Sequence, residues 1–290
     1  MNEDCTACGR SKGAELPRTL SPSSRGDAGY LLCLARLPID TCAAIREICR
    51  SRGYAYVDRR EFLGPPDNGD VILLAGWQHL EDFASKNAIV FHDSLLPQLR
   101  GFNPTVTAMI AGATQLGVTA FAPGSEVDAG PIYGQEAIAV AYPLTIRKAY
   151  EYLGIAYAVL AERLLDEISH GPLPFREQDF SAATYSLWRD EDDYWIDWSA
   201  SAAQIRRFVD AVGWPYLGAK TTMGGRVIRI VRVEEAPDLT FPLRQHGKLW
   251  PSSGGNPFVI CGYGMLNILE AHDENGKPVT FNAIRLRLGK

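Results

Sequence analysis

Long apolar runs are missing from this 290-residue sequence. None approaches the ~20 consecutive apolar residues that cross a bilayer, so no membrane partner is expected. The first residues lack the basic stretch and apolar run of a secretory signal, and a cytoplasmic protein is the expectation. A strong charge of either sign is also lacking. The net charge is −5, from 29 Lys and Arg against 34 Asp and Glu, which provides no broad surface for a polyanion, and no nucleic-acid partner is expected. Nor is there a phosphate loop or dinucleotide fingerprint, since the Gly- and Pro-bearing stretch 64–70, GPPDNGD, has neither spacing. Six cysteines include one C-x-x-C, Cys5 and Cys8, but no second pair follows. A structural zinc site needs about four ligands, so no metal is expected there. Cys33, Cys42, Cys49 and Cys261 lie in apolar or amphipathic surroundings and read as small buried hydrophobes.

What is there fits one larger and one smaller folded unit. Residues 1–27 are polar and broken by Gly, Pro and Ser, a composition that suits a tail or arm. Strands are expected at Tyr30–Leu37, Tyr54–Val57 and Asp70–Ala75, with helices at Thr41–Arg50 and Gln78–Ser85 between strands. The run DVILLA is continuously apolar, as in a parallel strand covered on both faces. Alternating strands and helices predict a parallel sheet with right-handed crossovers. A long amphipathic helix, Thr145–Ile168, broken or bent near Gly154, is expected to cover that sheet. Gly171-Pro172-Leu173-Pro174 stops it, and a linker with one weak strand runs to about 185. From there a helix, Ser201–Val212 with Ser199 as N-cap and with Arg206, Arg207 and Asp210 facing outward, precedes short Gly-punctuated strands at Arg226–Val233, His246–Trp250, Phe258–Cys261, Leu266–Glu270 and Phe281–Leu288. A small antiparallel barrel is the economical arrangement. The expected division is a tail 1–27, a larger domain 28–185 and a smaller β-rich domain 186–290.

The most informative stretch is Ala88–Gln135, AIVFHDSLLPQLRGFNPTVTAMIAGATQLGVTAFAPGSEVDAGPIYGQ. An apolar strand ends on His92, and a turn-rich segment from Asp93 to Pro104 follows it. After a helix-compatible segment, Thr105–Ala113, a β-branched run, Gly117–Phe121, leads into a loop holding Asp128. A histidine at one strand end and an aspartate in a loop after another match an open α/β site, where ligands gather outside the carboxyl ends of strands. A carboxylate that orients an imidazole makes it a better acid or base near neutral pH. A capping aspartate and an unrelated strand-edge histidine would leave the same pattern.

His92-Asp93-Ser94-Leu95-Leu96-Pro97, Arg100-Gly101 and Pro104 resemble the formyltransferase signature N-x-H-x-S-L-L-P-x-x-R-G. Gly117-Val118-Thr119 and Val127-Asp128-Ala129-Gly130-Pro131-Ile132 are similar to its G-V-T and D-x-G-x-I elements. Ile196-Asp197-Trp198 and Pro215-Tyr216-x-Gly218-Ala219 look more like nucleotide-sugar N-formyltransferases than methionyl-tRNA formyltransferase. The resemblance implies an α/β fold, a Rossmann-like parallel-sheet formyltransferase domain followed by a smaller, mainly β, OB-like barrel. It also implies an enzyme that moves a formyl group from 10-formyltetrahydrofolate to the amine of a small acceptor, a nucleotide-linked amino sugar. By the same resemblance His92 and Asp128 are catalytic, and Asn103 is a candidate for the amide that the family places two residues before the His, where this chain has Val90. Asn103 also reads as a turn residue before Pro104. Trp77, Leu95, Leu96, Pro97, Val127, Gly130 and Ile132 would hold the folate, with Trp77 equally readable as a packing residue. Ser94, Arg100 and Gly101 would meet the acceptor. A homodimer is an option, and three other readings stay open: a methionyl-tRNA formyltransferase-like activity, hydrolysis of formyl-folate, and a silent folate- or nucleotide-binding protein.

Overall fold

Four short strands, β1 (Tyr30–Cys33), β2 (Ala55–Val57), β3 (Ile72–Ala75) and β4 (Ala88–His92), run parallel in the order β2-β1-β3-β4. The computed structural model describes residues 30–33, 43–52, 55–57, 72–76, 88–252, 256–281 and 285–289. The expected tail 1–27, Cys5, Cys8, Trp77 and the expected helix 78–85 lie outside them. Every residue of β3 and β4 is buried, as continuous apolar runs demand in a sheet covered on both faces. Helix α1 (Ala43–Arg52) links β1 to β2.

The expected parallel sheet is present in these four strands, and beyond β4 it continues antiparallel. After β4 come the two-residue β5 (Arg100–Gly101) and α2 (Pro104–Ala111). Helix α2 packs on a later helix, α4 (Ala202–Ala211), and also on α3 (Ile146–His170). It therefore does not serve as a sheet-covering crossover, and the chain re-enters antiparallel to β4 as β6 (Gln115–Phe121). Antiparallel neighbours need no crossover, and β7 (Ile132–Ala139), absent from the sequence reading, continues the pattern against β6. Register places His92 opposite Thr119, and Thr119 opposite Gln135.

Helix α3 (Ile146–His170) packs on β6, β7 and α1. Its buried positions, among them Ile146, Ala149, Tyr150, Leu153, Tyr157, Leu160 and Leu164, recur every three or four residues. The Thr145 side chain accepts from the Lys148 N–H at its N-terminus. The helix runs unbroken through Gly154. Mid-helix glycine costs about 1 kcal/mol, and the buried face on either side outweighs that. The segment expected as a linker turns back over the first sheet: Arg176 bridges Ile132 through paired backbone bonds, and β8 (Tyr185–Ser186) pairs with β5.

The second sheet is antiparallel, in the order β11-β12-β13-β10-β9, built from β9 (Ala219–Met223), β10 (Arg226–Ala236), β11 (Leu249–Trp250), β12 (Phe258–Ile260) and β13 (Met265–Asp273). Of the expected strand Phe281–Leu288, residues 281 and 285–288 are described, and none of these lies in a regular strand. Instead Leu288 bridges Met223 and Arg287 bridges Lys248, so this short segment ties the two edge strands and curls the sheet toward a barrel. The N-cap of α4 is Ser201, not Ser199: Ser201 and Gln204 form a capping box, while Ser199 bonds to Asp197. Cys261 is free and buried, as expected, and burial pushes its thiol up to about 12.

Asp210 was expected to face outward but is only 9% exposed, with Arg206 at 3.7 Å. Packing of α4 on β10 encloses it. Burial pushes its carboxyl from 3.8 up to about 6, with Arg206 opposing. A raised folded-state value means the carboxyl's contribution is full below the unfolded value and is lost as pH rises through about 6. The stability of the chain is therefore expected to drop between pH 4 and 7 by about 1–3 kcal/mol from this group. Urea denaturation should show that Asp210→Asn flattens this slope, and parallel slopes in the two proteins would refute it.

Candidate active site

The carboxyl end of β4 delivers His92 to a point where two loops and the β8 segment converge. The His92 ring is engaged at both nitrogens: Nε2 lies 2.9 Å from the Leu99 carbonyl, and Nδ1 lies 3.5 Å from Asp128 Oδ2. A carbonyl only accepts, so Nε2 carries a proton, and Nδ1 is the nitrogen turned to the carboxylate. Asp128 Oδ2 also accepts the Gly101 N–H at 2.8 Å, whereas Oδ1 has no hydrogen bond among the described residues. Both residues are enclosed, with His92 at 9% and Asp128 at 7% exposure.

Backbone strain gathers at this site. Leu99, Asn103 and Asp128 are the non-glycine residues with positive φ among the described residues, at 56°, 49° and 51°. Aspartate and asparagine tolerate this region better than most residues. Leu99 has no such excuse, and its conformation presents the carbonyl that holds the His92 ring. Gly101 has φ +100°, and a Cβ there would lie 2.5 Å from the Ser186 carbonyl oxygen. Gly130 approaches the Ala122 carbonyl so closely that a Cβ would lie 1.8 Å away, so only glycine lets the Asp128 loop close on the end of β6.

The S-L-L-P turn hangs on one hydroxyl. Thr119 Oγ1 donates to the Ser94 carbonyl, accepts the Leu96 N–H at 3.0 Å, and accepts Gln135 Nε2 at 2.8 Å. Ser94 Oγ closes the turn on the Gln98 carbonyl at 2.6 Å. This gives the threonine of G-V-T a mechanical task at the base of the site.

Arg100 is 1% exposed. Its Nε and Nη2 bond to Gln178 Oε1 at 3.2 and 2.7 Å, and its guanidinium lies 4.6 Å from the Phe180 ring centre. Gln178 in turn donates Nε2 to the carbonyls of Asp128 and Gly130, at 2.9 and 2.7 Å. One glutamine thus joins the two loops carrying the sequence motifs. The sequence reading missed it, because a single Gln in GPLPFREQDF carries no local signal.

Residues 66–154 match the family model "Formyl transferase", and residues 189–285 match "Formyl transferase, C-terminal domain". The two matches follow one another in the family's order and together span more than half of the chain. The chain belongs to the formyl transferase family. Solved structures share the fold at low identity. HypX from Aquifex aeolicus in complex with tetrahydrofolic acid superposes with a TM-score of 0.65 at 15% identity, covering 87% of this chain and 46% of that one. This chain therefore spans less than half of HypX. The N-formyltransferase from Helicobacter canadensis, in complex with folinic acid and dTDP-3-aminofucose, gives 0.61 at 12% identity and covers 81% and 97%. The methionyl-tRNA formyltransferase from Clostridium thermocellum gives 0.55 at 16%, covering 72% and 94%.

Within this formyl transferase fold, the remaining residues singled out from sequence fall into two groups. Leu96 and Ile132 are buried with Val90, Ile72, Leu74, Ala88 and Phe121 in one apolar cluster. Leu95 and Pro97 are half-buried, and Val127 stands 59% exposed at the tip of the Asp128 loop. Val90 is 3% exposed, so the position two residues before His92 is part of that apolar floor. Asn103 is the N-cap of α2, yet its side chain makes no capping bond. No helix among the described residues is long and apolar enough to cross a membrane.

Proposed function

We propose that this formyl transferase moves a formyl group from 10-formyltetrahydrofolate to the amine of a small acceptor, and that the acceptor is a nucleotide-linked amino sugar. The observation that carries the reading is the enclosed His92–Asp128 pair, with a carboxylate oxygen, Oδ1, that has no hydrogen bond among the described residues. Formyl transfer needs a group to take the proton that the attacking amine gives up and donors for the oxyanion that develops on the formyl carbon. Asp128 Oδ1 suits the first task. His92 is proposed for the second, its Nε2 proton turning from the Leu99 carbonyl to the oxyanion while Asp128 keeps Nδ1. The carbon–nitrogen bond to the donor then breaks, and the proton taken from the amine returns to the nitrogen left behind.

Asn103 is the proposed further donor. An N-cap asparagine whose amide is not used for capping retains its hydrogen-bonding capacity. The folate requires apolar contact for a flat heterocycle. Leu95, Pro97 and Val127, above the floor of Leu96, Ile132 and Val90, fit that need. Ser94, Arg100 and Gly101 are proposed to shape the acceptor side, although Arg100 acts through Gln178 rather than by exposure. The nucleotide-sugar acceptor is supported by the I-D-W and P-Y-x-G-A motifs and by the relative whose structure holds dTDP-3-aminofucose.

Incubating the chain with 10-formyltetrahydrofolate and a panel of nucleotide-linked amino sugars is expected to release tetrahydrofolate with at least one of them. The apolar surroundings of Val90 favour one competing reading, a folate-binding protein that transfers nothing. Calorimetric binding of 5-formyltetrahydrofolate with no release on any amine would establish that alternative. No binding at millimolar ligand by folded protein would remove folate altogether.

A further inference from the structure

We propose that Asp93 is a positioning residue for His92: its carboxylate, held by the Tyr157 hydroxyl on α3, backs the catalytic turn from the side opposite Asp128. The inference rests on His92 and Asp128 being the working pair. Side chains alternate along β4, so Phe91 and Asp93 face the α3 layer while His92 faces the loops. The contacts agree. Phe91 stacks on Tyr157, with ring centres 5.5 Å apart at 26°, and Asp93 Oδ1 accepts the Tyr157 hydroxyl.

The groups around Asp93 make this more than a surface turn. His92 precedes it in the chain and attracts it. From α3 come Tyr157 and Tyr150, both buried. From the turn after α4 comes Tyr216, whose hydroxyl meets that of Tyr150 at 2.8 Å. Tyr194 and Arg189 act in turn on Tyr216. Among the described residues no lysine or arginine forms an ion pair with Asp93. Burial pushes the Asp93 carboxyl up, and the Tyr157 hydrogen bond, followed by the His92 charge, pulls it down. Burial, then Asp93 itself, push the Tyr157 hydroxyl well above its ordinary value, so it stays a donor. How much of Asp93 is anionic therefore depends on one hydroxyl from a different element.

The sequence of events in the reaction gives that anion a use. A protonated imidazole is the stronger donor to the oxyanion that forms beside it, and a carboxylate near His92 in addition to Asp128 favours that protonated form. Tyr157 belongs to α3, and among the described residues its ring stacking and hydroxyl hydrogen bond go to Phe91 and Asp93, not to His92 or Asp128, which makes Tyr157→Phe the cleaner probe.

The experiment has two arms. In the first, carboxyl ¹³C NMR of the full chain without substrate follows the resonance that disappears in Asp93→Asn. In Tyr157→Phe it is expected to titrate about one pH unit higher, the worth of one hydrogen bond to a charged group. In the second, the acid limb of kcat/KM for formyl transfer is expected to move up by the same amount in Tyr157→Phe, and Asp93→Asn to lose about tenfold in kcat with little change in KM. A purely structural tyrosine would alter melting without moving either profile. An unmoved Asp93 titration, or a moved titration with a superimposable rate profile, overturns the proposal. Failure of the unsubstituted protein to transfer formyl at all instead overturns the functional reading, and the NMR arm still decides whether Tyr157 governs Asp93.

Discussion

Replacing His92 by Asn, or Asp128 by Asn, is expected to lower formyl transfer by at least ~10², measured as kcat/KM with any accepted amine. The Asp128 substitution is the sharper of the two. Asparagine tolerates the left-handed backbone, φ 51°, that Asp128 adopts. Its amide oxygen can still accept the Gly101 N–H that Asp128 Oδ2 accepts now. What vanishes is the negative charge beside His92 Nδ1 and the basic oxygen proposed to take the amine's proton. From sequence, neither residue is expected in a packed core, and both substitutions would be silent in stability. The structure corrects this, because both are buried and hydrogen-bonded. A loss of about 1 kcal/mol is expected for His92→Asn, since the Leu99 carbonyl loses its partner. Full activity in His92→Asn would remove the mechanism while leaving the family assignment in place.

The second large effect is expected at Gln178, which no local motif marks. Gln178→Leu keeps the volume but strands the Arg100 guanidinium and the carbonyls of Asp128 and Gly130. Each buried group left without a partner costs about 1–3 kcal/mol, so a destabilisation of about 3 kcal/mol or more is expected by urea denaturation. Transfer should fall more than tenfold in the protein that remains folded, because the Asp128 loop loses the clip that holds its strained backbone. Gln178→Glu separates the two effects. It offers Arg100 a carboxylate but cannot donate to the two carbonyls, so stability should partly recover while transfer stays low. Normal transfer in Gln178→Glu would show that the clip supports folding only.

The sequence was legible where the pattern was local. Continuous apolar runs marked β3 and β4, three-and-four spacing marked α3, and the expected helix Ser201–Val212 matched α4 to within a residue at each end, though its cap is Ser201 and not Ser199. It was less legible where distant packing decides. The direction of β6 depends on α2 settling against α4 instead of crossing the sheet. Asp210 sits on a helix face that looked polar until β10 covered it. The described end of the expected strand Phe281–Leu288 forms a pair of bridges, at Arg287 and Leu288, because its partners are two separate strand edges.

By itself, the sequence determined that an apolar strand ends on His92, that Asp128 lies in a glycine-bearing loop, and that both stand in motifs of one family. These are properties of short segments, where backbone propensity and residue order suffice. Tertiary structure alone decided that Nδ1 and not Nε2 faces Asp128, that Gln178 ties the two loops together, and that Asp93 turns away from the loops to Tyr157. Those contacts join residues far apart in the chain, and such pairs are specified by which faces of helices and strands must be buried together, not by spacing along the backbone.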